Sequence, residues 1–150
     1  MEDEIIEAYE KIKGETNIRL VIIGNSSMKL EAPRGVYFLG HISEEIKSSL
    51  FSGAEALLYP SLYEGFGIPI LEGFACKLPV VTSNIGSMKD IAADAAVLVD
   101  PYDTESIVKG VFRALCEKEK LVKKGRERLK SFSWKKTAQE TLKVYSEAIK

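Results

Sequence analysis

The sequence predicts an α/β chain, a three-layer α/β/α sandwich built around about five parallel strands, and three observations carry that expectation. First, five short β-rich runs recur along the chain: Arg19 to Gly24, Val36 to Gly40, Ala56 to Ser61, Pro79 to Asn84 and Ala96 to Pro101. They are apolar on both faces, as strands covered by helices on either side must be, and this favours a parallel sheet. Second, the gaps between them carry helical spacing rather than hairpin turns, giving an alternating β-α order. Third, 150 residues at 45% hydrophobic content suffice for one core and one domain, with no internal repeat, low-complexity tract or linker.

Each element has a local reason. Ile5, Tyr9 and Ile12 recur at i, i+4, i+7 and place a helix before the first strand. Ile46, Leu50 and Ala54 do the same after the second strand, where Ser43 is a candidate N-cap and Glu44 and Glu45 suit a first turn. Asp103 or Thr104 caps the next pattern, in which Ile107, Val111 and Leu115 mark a long helix that Leu121, Val122 and Leu129 continue past Glu117. A last helix starts near Trp134, with Leu142 and Tyr145 on one side.

Composition removes several functions. The 21 basic and 22 acidic side chains leave a net charge of −1, so no global field draws the chain to nucleic acid. Apolar stretches fall far short of the ~20 residues of a membrane span, and the first ten residues are acidic, so a cytoplasmic location is expected. One histidine and two distant cysteines, Cys76 and Cys116, form no visible metal-ligand set, and both thiols are expected reduced in the core. Charge is nevertheless uneven: residues 1–75 hold 6 basic and 12 acidic side chains, residues 76–150 hold 15 and 10. The basic excess from Lys118 to Lys136 reads as a solvated helix face, with peripheral contact to an anionic membrane as the alternative.

The chemistry concentrates in Tyr59 to Lys77, YPSLYEGFGIPILEGFACK. A strand ends near Ser61, a loop holds Glu64, Gly65, Phe66 and Gly67, and a helix begins at Pro69, which suits the first helical position. In an open parallel sheet the ligand crevice lies beyond the carboxyl ends of the strands, where a helix N-terminus suits phosphate and glycines permit close approach to the main chain. Glu64 and Glu72, eight residues apart, flank this element. A carboxylate can accept from two vicinal ribose hydroxyls, and Glu72 fits that role; otherwise it is a first-turn acid favoured by the helix dipole, and Glu64 an exposed loop residue.

The string Glu64 to Glu72, EGFGIPILE, resembles the E-x7-E motif of retaining group 1 (family 4) glycosyltransferases of the two-Rossmann-domain (GT-B) type. Gly40-His41-Ile42-Ser43, Leu57 to Ser61, Ser83-Asn84, Asp94-Ala95-Ala96, Asp100-Pro101 and Phe132-Ser133-Trp134 match in register, so the likeness covers nearly the whole chain. It implies a Rossmann-like, nucleotide-sugar-binding domain, the C-terminal donor half of such an enzyme. Glu64 is then the catalytic residue, positioning the transferred hexose with the Gly65-Phe66-Gly67 backbone. Glu72 takes the ribose hydroxyls, and N–H groups around Ile68 and Ile70 meet the pyrophosphate. The backbone of Gly40, His41 and Ile42 lies by the base, and Gly24 borders the same crevice. The implied reaction moves a hexose from a UDP- or GDP-sugar to an acceptor with retention, needing no metal or other cofactor. It rests on positioning and on stabilising the leaving diphosphate.

The family's donor domain opens with a strand and a glycine loop bearing an arginine and a lysine. Residues 1–150 start at the following helix, so the domain is expected to be N-terminally incomplete, with the acceptor domain, which carries the family's catalytic histidine, supplied in cis or in trans. His41 does not take that role; its side chain is read as structural. Loss of the two cations is expected to weaken donor binding by roughly 3–6 kcal/mol, on the order of 10²–10⁴-fold, with Lys29 a partial substitute or a surface lysine. The absent strand is central in the family's order, so the Arg19 strand is expected to close onto the Ala56 strand in the order 2-1-3-4-5, or another chain is expected to complete the sheet. A non-catalytic scaffold module is the alternative function. Nicotinamide or flavin binding is disfavoured because Gly24-Asn25-Ser26-Ser27 lacks G-x-G-x-x-G, and a receiver domain because no acidic cluster ends the first strand.

Overall fold

The computed structural model describes residues 2–24 and 32–149; residues 25–27 and Lys29 lie outside the described residues. The elements run α1 (Glu2–Ile12), β1 (Leu20–Ile23), β2 (Val36–Gly40), α2 (Glu44–Gly53), β3 (Leu57–Tyr59), α3 (Ile68–Ala75), β4 (Val80–Ser83), α4 (Gly86–Ala92), β5 (Val97–Val99), α5 (Thr104–Cys116), α6 (Lys118–Leu129) and α7 (Trp134–Ala148). All pairings among the described strands are parallel, and helices cover both faces of the sheet that β4 centres. The expected α/β architecture is present.

Alternation along β4 divides the core between those faces. Val81 packs with Ala8 and Ile12 of α1 and Ile107, Val111 and Ala114 of α5. Val80 points the other way, into a cluster with Ile70 and Phe74 of α3 and Met88, Ile91 and Ala92 of α4. Every residue of β4 is buried, the hydroxyl-bearing Thr82 and Ser83 included.

The caps follow the sequence closely. Ser43 Oγ accepts from the Ile46 N–H at 3.4 Å, Asp103 Oδ1 from the Glu105 N–H at 2.9 Å, and Ser133 Oγ from the Lys136 N–H at 3.3 Å. Asp103, not Thr104, is therefore the cap of α5. α3 starts one residue earlier than expected, at Ile68, so Pro69 takes the second position. Its missing N–H costs nothing there, because the first four helical N–H groups have no intrahelical acceptor.

The long helix expected across Glu117 is two helices. Glu117 sits at φ −97°, ψ 20°, ending α5 and opening α6, and its carboxylate receives Lys120 Nζ at 2.6 Å and Arg113 Nε at 2.9 Å. Apolar periodicity continues through the break because both helices pack on the same core, which hides the change of direction from sequence reading. Cys76 is half-buried and Cys116 exposed, both free. The expected pair of core thiols fails at Cys116, which lies in the last turn of α5 off the face that buries Ile107, Val111 and Ala114. Along α7 no residue is buried, and Leu142 and Tyr145 are exposed. No helix among the described residues is long and apolar enough to cross a membrane.

Lys120 and Arg113 hold the Glu117 carboxyl down to about 2, and Lys124 and Lys130 lower those of Asp94 and Glu127. A carboxyl depressed on folding contributes stability above its unfolded pKa and loses it as pH falls through the folded value. The melting temperature is therefore expected to drop between about pH 5 and pH 2, and about 1 M salt to shrink the drop because the pairs are exposed. Thermal melts of wild type and Glu117→Gln test this; an acid drop equal in both proteins would count against it.

Sheet closure does not occur. Among the described residues β1 pairs only with β2, β3 pairs with β4 and β4 with β5, so these strands form a two-stranded and a three-stranded sheet. Between β1 and β3 lies a slot of 1510 Å³, walled by both strands and by α1 and α2.

Candidate functional site

The loops at the carboxyl ends of the strands bring most of the expected residues together. Gly24, at φ 110° after β1, donates its N–H to the carbonyl of Gly40, at φ 62° at the end of β2, at 2.9 Å. These left-handed turns suit glycine and set the Gly24 backbone beside the Gly40-His41-Ile42 turn. The His41 side chain is exposed.

Glu64 is held from several directions. Its Oε1 accepts from Ser61 Oγ at 3.0 Å and from the Tyr59 hydroxyl. Burial, and then the adjacent Glu64 carboxylate, push the Tyr59 phenol well above its ordinary range, so it stays a donor. The loop backbone is clamped by hydroxyls from the next strand and helix. Thr82 Oγ1 donates to the Tyr59 carbonyl at 2.8 Å, Ser83 Oγ to that of Ser61, and Ser87 Oγ to that of Glu64 at 2.8 Å. Thr82 and Ser83 are fully buried polar residues whose hydroxyls are satisfied by this loop. Phe66 stacks edge-on against Phe132 at 6.0 Å, and Arg128 lies over the Phe132 ring at 4.9 Å.

Gly67, at φ 103°, turns the chain into α3. The Ile70 side chain is fully buried and its N–H donates to the Gly67 carbonyl at 3.1 Å, whereas Ile68, the first residue of α3, is exposed. A Cβ on Gly65 would meet nothing within 4 Å, so packing within the chain does not demand glycine there. Glu72 projects from α3 toward α2, where Oε1 receives Lys47 Nζ at 2.9 Å. Lys47 also pairs with Glu44 at 2.8 Å, and the hydrogen bonds to Glu44 and then Glu72 raise its pKa.

Glu64 and Glu72 thus sit on one loop–helix element but on separate supports, Tyr59 and Ser61 for the first and Lys47 for the second. Sequence reasoning missed Tyr59, Lys47, Ser87 and Phe132 as supports. Tyr59 and Phe132 stood inside quoted strings, whereas nothing in the local pattern joins Lys47 to a residue 25 positions on. The basic stretch is largely engaged: Lys118 pairs with Glu55, Lys124 with Asp94 and Lys130 with Glu127, and Arg128 donates to the carbonyls of Asp90 and Ile91.

Parallel strands flanked by helices, with glycine turns and carboxylates gathered beyond the strand ends, define a Rossmann-like α/β chain of the GT-B kind. Residues 2–132 match the family described as glycosyl transferases group 1, and the chain belongs to that family. It is 31% identical to the O-antigen chain mannosyltransferase B of Escherichia coli over 94% of this chain and 41% of that protein. Among solved structures it resembles a glycosyltransferase from Rickettsia africae (TM-score 0.84, 21% identity, 98% of this chain and 44% of that one). It also resembles the sucrose-phosphate synthase from Thermosynechococcus elongatus (TM-score 0.75, 24% identity, 95% and 42%). The chain spans about two fifths of the length of the mannosyltransferase.

Proposed function

We propose that this chain is the nucleotide-sugar donor domain of a retaining glycosyltransferase, working with an acceptor-binding domain or subunit. The observation that carries the reading is the loop–helix element from Ser61 to Glu72. It holds one carboxylate in a hydroxyl-clamped loop and the other on the first turns of the following helix, with a glycine at 65 that the chain's own packing does not require.

In this reading Glu72 accepts from the vicinal hydroxyls of the donor ribose, and the Ile68 N–H meets the diphosphate, helped by the positive end of α3. Glu64, kept in place by Tyr59 and Ser61, orients the hexose together with the Gly65-Phe66-Gly67 backbone. The bond from the anomeric carbon to the diphosphate oxygen breaks, the acceptor hydroxyl oxygen forms its bond on the same face, and the hydroxyl proton passes to the departing diphosphate. The departing charge is stabilised by fixed N–H dipoles and not by a mobile group. Cytoplasmic nucleotide sugars, UDP- or GDP-linked, are the matching donors. Acting alone, the chain is expected to bind donor weakly and to transfer nothing.

Calorimetric titration with UDP-glucose and GDP-mannose at millimolar concentration tests the assignment. Removing a charge-assisted acceptor costs about 1.5–3 kcal/mol, so Glu72→Ala is expected to weaken donor binding by about 10–100-fold. Equal affinity in wild type and Glu72→Ala would remove the ribose role. Stable co-purification with a partner in the absence of any donor affinity would favour a scaffold module.

A further inference from the structure

We propose that Lys47 is a positioning residue for the nucleotide: it holds the Glu72 carboxylate in the orientation that accepts the ribose hydroxyls, and so sets a preference for ribonucleotides. The proposal rests on the donor reading of Glu72 and goes one step beyond it. Lys47 Nζ donates to Glu72 Oε1 at 2.9 Å and to Glu44 Oε1 at 3.0 Å. With Oε1 engaged, Oε2 is the acceptor left for a ligand, and among the described residues nothing donates to it. A glutamate stem is long and loses its orientation when nothing holds the carboxylate.

This pair differs from the chain's other ion pairs. Exposed pairs hold their partners loosely and stabilise little. Among the described ion pairs Lys47 is the least exposed cation, at 23% against 37% for Lys13 and 38% for Lys124. It also bridges open space. A cavity of 190 Å³ lies between α2 and α3, walled by the ion pair and by Ser48, Phe51, Ala75 and Cys76. Without the ammonium, the Glu72 carboxylate has room to swing within that cavity, and no neighbouring side chain is placed to replace the lost donor.

The position of Lys47 along α2 gives the contact a second consequence. Its N–H donates at 2.9 Å to the carbonyl of Ser43, the cap that follows the Gly40-His41-Ile42 turn. One side chain therefore ties the helix that starts at this turn, which in the donor reading lies by the base, to the carboxylate that holds the ribose. A carboxylate fixed before the nucleotide arrives avoids the cost of ordering it on binding, and that saving applies only to ligands that use it. Nucleotides lacking the hydroxyls gain nothing from Lys47.

Calorimetric titration of the full chain with UDP and GDP, each against its 2′,3′-dideoxy analogue, reads the ribose preference as a ratio of dissociation constants. Hydroxyls bonded to a carboxylate are expected to give wild type a preference of about tenfold or more. Lys47→Met is expected to cut that ratio by at least roughly fivefold. Lys47→Arg, which keeps a cation, and Glu44→Gln, which removes only the outer partner, are expected to retain most of it. Glu72→Ala abolishes it, and adding Lys47→Met to Glu72→Ala lowers it no further. A general structural loss weakens ribo and dideoxy nucleotides alike, so the ratio follows orientation and not stability; Lys47→Gln gives the same measurement should Lys47→Met fail to fold. A wild-type preference that is lost in Glu72→Ala and survives Lys47→Met overturns the positioning role and leaves Glu72 on the ribose. A wild type with no ribose preference, or no nucleotide affinity at millimolar concentration, instead removes the ribose role and this proposal with it.

Discussion

Replacing Phe74 by alanine is expected to lower the unfolding free energy by about 3–5 kcal/mol and the melting temperature by about 6–20 °C. The ring is 1% exposed and is among the largest fully buried side chains. It packs with Ile70, Val80, Met88 and Ile91 on one side. On the other side α6 passes so close that a Cβ on Gly125 would come within 2.6 Å of the ring. Truncation leaves a cavity between three elements that are each fixed by other contacts, so little collapse can offset it. Urea unfolding of Phe74→Ala and Phe74→Leu measures the effect, with leucine expected to fall between. A loss under about 1 kcal/mol for alanine would mean that the ring does not fill this site.

Gly110→Val is expected to cost about 3 kcal/mol, at the upper end of overpacking penalties. Gly110 sits where α5 crosses β4 and β5. A Cβ built there would lie 2.3 Å from Val99 Cγ1 and 3.1 Å from Val81 Cγ1. Both neighbours are β-branched side chains on strands and have no free rotamer into which to retreat. Gly110→Ala should cost less, because its gain of about 1 kcal/mol in helix propensity offsets part of the clash. Equilibrium unfolding of the two variants gives the ordering; valine as stable as wild type would show that α5 can lift from the sheet without penalty.

Much of the fold was legible because its signals are local. The five apolar runs contain the five strands, and Ser43 and Asp103, both candidate caps, cap helices through side-chain oxygens within three residues of their donors. The loop–helix from Glu64 to Glu72 was legible as a motif, and its family membership follows from matches spread along the chain. The break at Glu117 was not, since α5 and α6 bury the same apolar pattern on either side of it. Nor were the supports of the two carboxylates. Lys47 lies 25 residues from Glu72, and Ser87 lies 23 from Glu64, so no periodicity links either pair.

By itself the sequence determined where the five strand runs fall, where α2 and α5 are capped and which family motif the third loop carries. Those properties depend on side-chain spacing along one stretch of chain. Tertiary structure alone decided that β1 and β3 stand apart, that Thr82, Ser83 and Ser87 grip the Glu64 loop, and that Lys47 meets Glu72. Strand order and side-chain meetings across the sheet are settled by competition between packing on separate helices and pairing of backbone edges. Here β1 and β3 line opposite sides of one slot, and among the described residues neither pairs across it.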